Sequence, residues 1–580
     1  MSSSTTSAVS PLAQLPFAAS AVIIGVVSLV YLAYQWALPK PLPGIPYNKE
    51  AVKSILGDAA EIRELKKRGG RPRTWFGQQN AKHNSPLVQA FLAPLSKPML
   101  ILSDFREAQD ILLRRGKEFD RGGRNLAALG GVIPNHHIGM RTSDPQFKAN
   151  RELVKDLMTP NFLNTVSAPE IHSNALKFID LWRLKASKAN GRPFQGDQDI
   201  NVVAFDIIKV VALGEGDSQS MTELYQEVVR KTDFETQHPD SKDAAFEFPE
   251  NLPNEDLLSH QVQQEAIGQS VTTPSPALFH KFNNRKAHMQ EAYGIKMRML
   301  EKQIGLAIKR NEAGEEVKSA LDYMIKREIN AAKKAGRQPV FDSPYMYDEL
   351  YGYIGAGHET TSTSFQWALK HLAIHRDVQQ KAREAMRAAY VDAAAQRRQP
   401  TVAEITKIQV PYLEAVMEEA LRLSGPILGI VRQAQVDTTV LGHRVPKGTE
   451  VFMPLRGPSI TQAPFNIEES LRSESSRSHK DTRGLWETDP EAFIPERWLK
   501  PEENNEAFDS QAGPFLTFSN GVRGCFGRRL AYLELRILMA LLLWNLELGP
   551  LPEKLNTWDA VDSLTTKPAK VYVRISETKW

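Results

Sequence analysis

The strongest constraint on this chain is a ten-residue segment near its C-terminus, FSNGVRGCFG at residues 518–527, which holds the only cysteine among 580 residues. A thiolate stays ionised where hydrogen-bond donors and positive charge surround it. The three glycines allow a tight turn and close approach of the backbone, and Arg523 can form paired hydrogen bonds with a carboxylate. The segment therefore predicts that Cys525 is a thiolate held against a flat, anionic cofactor.

Two other interpretations of Cys525 start from the residue alone. A lone cysteine is commonly a small buried hydrophobe, which its glycine and arginine neighbours disfavour here. A thiol-protease nucleophile would need a partner histidine, and none of the 13 histidines has a sequence context that marks it as one.

Composition narrows the class of protein further. Lys and Arg total 72 against 68 Asp and Glu, a net charge of +4 that gives no basis for nucleic-acid binding. One cysteine excludes an intrachain disulfide framework and fits a domain facing a reducing compartment. Neither a repeat nor a low-complexity linker divides the chain after its N-terminus, so we expect one large domain.

An uncharged apolar stretch, FAASAVIIGVVSLVYLAYQW, covers residues 17–36. A helix of that length spans about 30 Å, the thickness of the hydrocarbon core of a bilayer. A secretory signal would have a basic N-terminal region and a shorter apolar core, whereas residues 2–16 carry no charge. We therefore expect a single-pass transmembrane helix at 17–38, preceded by a lumenal tail at 1–16.

The residues that follow predict the orientation of this helix. Basic residues begin at Lys40 and recur through Arg73, which by the positive-inside rule places the rest of the chain in the cytoplasm. Residues 39–46 are rich in proline and should form a stiff connector. We expect this hinge to join the anchor to a catalytic domain at 47–580.

A long helix is predicted from Asp348 to His375 by its apolar spacing. Gly352, Gly355 and Gly357 interrupt the pattern, and each costs roughly 1 kcal/mol relative to alanine. Either something large lies against the helix backbone or the helix is locally opened. The segment AGHETT at 356–361 follows, and its residue types would also suit a helix start.

A second amphipathic helix, PYLEAVMEEALRL, covers 411–423. Glu419 and Arg422 lie three residues apart and share one face, as a surface ion pair or as part of a buried network. Downstream, FIPERW at 493–498 supplies Arg497.

These segments, in this order, resemble the motifs of the cytochromes P450, the haem-thiolate monooxygenases. The cysteine segment reads F-x-x-G-x-R-x-C-x-G, AGHETT matches A/G-G-x-D/E-T-T/S, and an E-x-x-R helix and a P-E-R-W element stand between them. The resemblance covers roughly residue 41 to the C-terminus. It implies the family's fold, mainly α with small β-sheets.

The resemblance assigns a haem b site residue by residue. Cys525 would be the axial iron ligand, Phe518 would cover the thiolate side, and Gly527 would complete the loop. Arg523, Arg432 and Arg151 would face the haem propionates. Arg151 ends a segment similar to W-x-x-x-R, in which this chain has Phe147 in place of tryptophan and so lacks the indole N–H donor.

The remaining motif residues receive roles in the same way. An alcohol such as Thr360 and a carboxylate such as Glu359 would deliver protons during oxygen activation, with His358 as a spacer. Glu419, Arg422 and Arg497 would form a buried ionic network that braces the cysteine loop, rather than the surface pair of an arbitrary E-x-x-R.

The implied protein is a monooxygenase in the endoplasmic reticulum membrane that uses O2 and NADPH-derived electrons from a flavoprotein reductase. Arg528 and Arg529 could meet an acidic partner or be ordinary solvated surface. The expected substrate is a lipophilic small molecule, with secondary metabolism as the context. Its pocket would be lined by residues near 135–137, 351–355, 427–430 and 564. His136 and His137 could hydrogen-bond a polar group of the substrate or, as is usual for loop histidines, be exposed.

The sequence is also compatible with two rival functions. A haem-thiolate isomerase or dehydratase acting on a peroxide would not need Glu359 and Thr360, and a non-catalytic haem sensor would show a second strong axial ligand. Two segments also depart from the family pattern. Residues 460–485 are expected to form an exposed loop, and residues 238–276 read as irregular.

Overall fold

The computed structural model describes residues 17–214, 220–234, 241–250, 253–479, 486, 488–501 and 506–579. Helices dominate these residues, as expected. Their bounds are α1 Phe17–Ala37, α2 Ala59–Lys67, α3 Pro72–Lys82, α4 Phe105–Leu113, α5 Gly123–Gly130, α6 Pro145–Val154, α7 Pro160–Phe162, α8 Ala168–Ala189, α9 Asp197–Leu213, α10 Met221–Lys231, α11 Glu255–Val271, α12 Pro276–Asn283, α13 Ala287–Glu312, α14 Ala320–Lys334, α15 Pro344–Ile374, α16 Arg376–Ala389, α17 Val391–Gln396, α18 Val402–Lys407, α19 Pro411–Ser424, α20 Glu474–Ser478 and α21 Arg528–Asn545.

The strands are short and form one five-stranded sheet and five two-stranded pairs within the described ranges. Their bounds are β1 Leu87–Ala90, β2 Met99–Leu102, β3 Phe119–Asp120, β4 Phe194–Gln195, β5 Gly429–Ala434, β6 Thr438–Val440, β7 His443–Val445, β8 Glu450–Pro454, β9 Leu499–Pro501, β10 Glu506–Phe508, β11 Leu546–Leu548, β12 Ala560–Asp562, β13 Thr566–Pro568, β14 Tyr572–Val573 and β15 Ile575–Glu577. The large sheet has the order β1-β2-β8-β5-β3, and only β2 and β8 run parallel in it. The prediction of a mainly α fold with small sheets is confirmed.

The central helix α15 organises the main hydrophobic core. Its N-cap Ser343 accepts a hydrogen bond from the Met346 N–H, followed by a proline at the first helical position. Apolar positions such as Leu350, Phe365 and Leu372 are fully buried against α9, α19 and α21. The predicted helix is therefore real and begins four residues before Asp348.

The glycines of α15 do not open the helix, which is continuous through them. A Cβ added at Gly352 would lie 2.2 Å from the His136 ring, and one at Gly355 would lie 2.5 Å from Gln264. These glycines therefore allow neighbouring side chains to lie directly against the helix backbone, which was the first of the two expected explanations.

One helix among the described residues is long and apolar enough to cross a membrane, Ala19–Ala37, with a mean hydropathy of 1.7. None of that window is buried against the remainder of the protein. The predicted helix at 17–38 is thus present as α1, and the proposed tail at 1–16 lies outside the described residues.

Two expectations about irregular segments are wrong in part. Residues 255–271 form the regular helix α11, whose N-cap Asn254 accepts a hydrogen bond from the Leu257 N–H. The segment at 460–485 is docked rather than merely exposed: Arg472 donates to both oxygens of Asp104, and Ser476 is buried. Residues 251–252 and 480–485 lie outside the described ranges.

Candidate functional site

A cavity of about 360 Å³ lies between α15, β5 and the segment that contains Cys525. The Cys525 N–H donates to the Phe518 carbonyl at 2.8 Å, and the Gly524 N–H donates to the Gly521 carbonyl at 2.9 Å. These two bonds fold the segment into a compact loop that ends at the start of α21. The loop presents the Cys525 side chain to the cavity.

Gly521 is the glycine that this loop requires. Its φ is +72°, a region that side chains rarely adopt, and an added Cβ would lie 2.2 Å from the Leu112 carbonyl oxygen at the end of α4. At Gly527 a Cβ would meet no described atom within 4 Å. Packing against the described residues therefore does not explain the glycine at position 527.

The electrostatics at Cys525 suit a metal-bound thiolate better than a free one. Burial raises the pKa of the thiol, while the Gly527 and Arg528 N–H groups and the Arg528 charge lower it. Because the net direction is upward, the protein alone does not ionise the sulfur. A bound metal ion would favour the deprotonated thiolate, whose sulfur would accept hydrogen bonds from the same N–H groups.

Three arginines at the cavity lack enough negative charge around them. Burial, followed by repulsion from a neighbouring arginine, lowers the pKa of Arg121 and Arg432 to about 10 and that of Arg523 to about 9. Arg121 Nε and Arg523 Nη1 are buried without a protein hydrogen-bond partner. Asp120 offsets this charge only in part. The cluster suits an anionic ligand that carries carboxylates, as haem does.

Arginine side chains and aromatic rings pack against one another at the site. Arg523 lies over the Phe147 ring at 4.4 Å, and half-buried Arg151 lies over Phe526 at 4.8 Å. Phe518 stands at the cavity beside Tyr532, with ring centroids 4.9 Å apart. Phe147 therefore offers a ring for packing at this position but no hydrogen-bond donor.

Helix α15 brings only one member of the expected acid–alcohol pair to the cavity. Thr360 lines it, and its hydroxyl donates to the Ala356 carbonyl at 2.6 Å. Glu359 instead accepts a hydrogen bond from the Thr565 hydroxyl at 2.8 Å, and Thr565 lies 3.0 Å from Thr363. Burial raises the pKa of Glu359, although Thr565 opposes that shift.

Glu419, Arg422 and Arg497 form the predicted buried network. Arg422 donates to both oxygens of Glu419 at 2.8 Å, Arg497 Nε donates at 3.0 Å, and the Trp498 indole adds a bond of 2.9 Å. The guanidiniums of Arg422 and Arg497 both lie 5.1 Å from the Trp486 ring. This satisfied network ties α19 to the segment before β9.

Some cavity residues escaped the sequence interpretation. Arg121 and Glu534 line the cavity, yet neither belongs to a motif that would have singled it out, whereas Tyr353 lines it from within the expected range 351–355. The histidines at 136 and 137 are buried rather than exposed, and burial lowers the pKa of both to about 3. Six of the expected pocket residues are absent from its lining among the described residues: Asn135, Tyr351, Ile354, Gly355, Leu428 and Leu564.

A helical fold with a thiolate loop facing clustered arginines is typical of haem-thiolate enzymes. The sequence profile of the Cytochrome P450 family matches residues 67–459 and 476–574. The gap between these ranges falls in the segment that departs from the family pattern. The chain belongs to the cytochrome P450 family and is an oxidoreductase.

Relatives at full length are fungal enzymes. The chain is 37% identical to Cytochrome P450 monooxygenase TRI13 of Fusarium sporotrichioides, over 94% of this chain and 97% of that one. It is 35% identical to Cytochrome P450 monooxygenase GME11363 of Pestalotiopsis microspora, over 96% and 99%. A crystal structure of a cytochrome P450, CYP102L1, shares the fold with a TM-score of 0.65 and 19% identity, over 93% and 99% of the two chains.

Proposed function

We propose that this chain is a membrane-anchored haem-thiolate monooxygenase that oxidises a lipophilic small molecule with O2 and NADPH-derived electrons. The observation that carries the proposal is that Cys525 and Thr360 line the same cavity as Arg121 and Arg523, whose Nε and Nη1 atoms respectively are buried without a protein hydrogen-bond partner. Membership of the family supports the haem, and the fungal monooxygenases among the relatives support a role in secondary metabolism.

In this proposal each side chain has a defined task. Cys525 holds the haem iron, which when bound supplies the redox centre for oxygen activation. Arg432, Arg523, Arg121 and Arg151 hold the propionates. The Thr360 hydroxyl can turn its proton from the Ala356 carbonyl towards the cavity, which places one exchangeable proton there.

Glu359 supplies protons to this region indirectly. The Glu359 carboxylate accepts a hydrogen bond from the Thr565 hydroxyl. That hydroxyl is in turn hydrogen-bonded to the hydroxyl of Thr363, which lies on α15 with Glu359. The three side chains therefore form a hydrogen-bonded chain inside the protein. We propose that this chain, rather than direct contact of Glu359 with the cavity, holds the proton that replaces the one leaving Thr360.

The anchor and the electron donor complete the proposal. Residues 17–38 anchor the domain at 47–580 to the endoplasmic reticulum membrane through the hinge at 39–46, with the domain in the cytoplasm. A flavoprotein reductase delivers the electrons. Arg528 and Arg529 beside the cysteine loop are exposed and can contact an acidic surface on it.

The reduced carbon monoxide difference spectrum of the purified protein tests the proposal. A thiolate-ligated haem gives a strongly red-shifted Soret band, which Cys525→Ala should abolish. An unshifted band, or a shifted band that survives Cys525→Ala, would refute the haem-thiolate assignment. Deletion of residues 1–38 should release the domain from membranes, and persistence in the membrane fraction would refute the anchor.

A further inference from the structure

The proposed haem site leaves one group of cavity residues without a role, the cluster of His136, His137 and Glu349. The two imidazoles stack with centroids 4.3 Å apart, and all three residues are buried at the cavity wall. Glu349 Oε1 accepts from the His137 backbone N–H at 2.6 Å and from Asn150 at 2.7 Å. The carboxylate is therefore fixed between α15, α6 and the turn that carries the histidines.

The hydrogen bonds define which ring nitrogens are engaged. The Ile138 N–H donates to His136 Nδ1 at 3.0 Å, so that nitrogen is an acceptor. His137 meets Glu349 Oε2 through Nδ1 at 2.7 Å. Nε2, at the opposite end of the His137 ring, has no partner among the residues that the structure describes. It is the one ring nitrogen of this residue that is available to a ligand.

The surroundings of His137 determine the charge of that ligand. Its ring lies edge-on to Phe147 and Phe526, with centroids 6.1 and 5.8 Å away. These are the rings over which Arg523 and Arg151 lie. Two imidazoles and a carboxylate can in principle hold a metal ion, but the neighbouring guanidiniums would repel one. An anion suits the position.

We propose that His137, positioned by Glu349, donates an Nε2–H hydrogen bond to a haem propionate and so replaces the donor that Phe147 lacks. The inference rests on the proposed haem site. One proton lies between His137 Nδ1 and Glu349 Oε2, and a second lies on Nε2. The pair therefore carries one proton more than a neutral imidazole beside a carboxylate would carry. The negative charge of the propionate stabilises this extra proton.

Transfer of haem from the purified holoprotein to apomyoglobin tests this role without measuring turnover. His137→Ala should speed haem release about tenfold or more, because it removes a hydrogen bond to a charged group. His136→Ala is the comparison variant: it deletes the stacked ring, whose Nε2 lies 3.5 Å from Glu349 Oε2, but leaves the 2.7 Å contact of His137 with that oxygen, so its effect should be smaller. Adding Phe147→Trp to His137→Ala should restore slow release by supplying an indole N–H.

The role of Glu349 as a positioning residue has its own test. Glu349→Gln can still donate from its amide to His137 Nδ1, which keeps the proton on Nε2, so haem release should stay slow. Glu349→Leu removes that partner and should speed release as His137→Ala does. Equal effects of the two substitutions would show a structural role only and overturn the positioning.

Release rates that are the same for the wild type and His137→Ala, or a failure of Phe147→Trp to restore slow release, would overturn the inference. If His137→Ala yields no haem-loaded protein, recovery of loading in the double variant decides the question, with no recovery counting against it. The carbon monoxide spectrum of the wild type is recorded first. A thiolate signature there separates failure of this inference from failure of the proposed function.

Discussion

Arg497 Nε lies 3.0 Å from Glu419 Oε1, although 78 residues separate the two in the chain. Arg422 shares the same carboxylate, and both side chains of the Glu419–Arg422 pair are fully buried. Glu419→Gln should leave two buried guanidiniums without a counter-charge and destabilise the protein by about 3–5 kcal/mol. Urea denaturation of the purified holoprotein measures this loss.

Glu496→Gln is the control for that substitution. Glu496 lies in the same P-E-R-W element but pairs with Lys381 at the surface, where the two side chains are 41% and 52% exposed. Its loss should cost less than about 1 kcal/mol. If the two variants proved equally stable, the network would not brace the fold.

The sequence predicted this network because its residues lie in short motifs whose spacing limits the possible partners. It predicted the cysteine loop for the same reason, and it predicted α15 from the spacing of its apolar residues. Arg121 was missed because it reaches the cavity through tertiary placement beyond β3, and a lone arginine after a short strand carries no local signal. The sequence also could not predict that the Glu359 side chain points away from the cavity. Its hydrogen-bond partner there, Thr565, lies about 200 residues away in the chain.

Burial of the histidines at 136 and 137 shows the same limit. A loop position predicts exposure by composition, but the missing Cβ at Gly352 lets the His136 ring lie against α15. The contact depends on two residues that are more than 200 positions apart. Only the fold brings them together.

Thr360→Ala should uncouple the enzyme, because Thr360 is the alcohol of the expected pair that lines the cavity. With a reductase and a ligand that shifts the haem spin state, we expect product per NADPH to fall about tenfold or more, with hydrogen peroxide rising. Thr360→Ser should retain most coupling. Thr565→Val should lower the coupling less, since it removes the hydrogen bond to Glu359 but leaves the Thr360 hydroxyl in the cavity.

The same measurement separates the rival functions. A haem-thiolate isomerase or dehydratase would turn over without NADPH and would be insensitive to Thr360→Ala. A sensor would consume no NADPH with any ligand that changes its spectrum.

Gly352→Ala should destabilise the protein by about 1–3 kcal/mol, because the new methyl group would lie 2.2 Å from the buried His136 ring. Gly305→Ala in α13 is the matched control, since its Cβ would meet nothing within 4 Å. That substitution should stabilise the helix by up to about 1 kcal/mol. Thermal or urea unfolding of both variants gives the comparison, and a gain of stability in Gly352→Ala would contradict the packing described.

The buried carboxyl of Glu534 should make the stability of the protein depend on pH. Burial raises its pKa from 4.5 to about 8, and Oε1 has no hydrogen-bond partner in the protein. The native state therefore binds this proton more tightly than the unfolded chain does. The resulting stabilisation is complete below about pH 4.5 and is lost as the pH rises to about 8.

Glu534→Gln removes this titration. The unfolding free energy of the variant relative to that of the wild type should therefore rise by up to about 1.4 kcal/mol per pH unit between about pH 4.5 and about pH 8. The difference in unfolding free energy should level off above about pH 8. Glu553→Gln, at an exposed position before β12, serves as the control and should give a difference that does not vary with pH. Urea denaturation of the wild type and the two variants, all as holoproteins, between pH 5 and 9 measures these differences. If the difference in unfolding free energy between Glu534→Gln and the wild type did not vary with pH, the Glu534 carboxyl would be ionised in the native state, and a cation or donor would reach it inside the cavity.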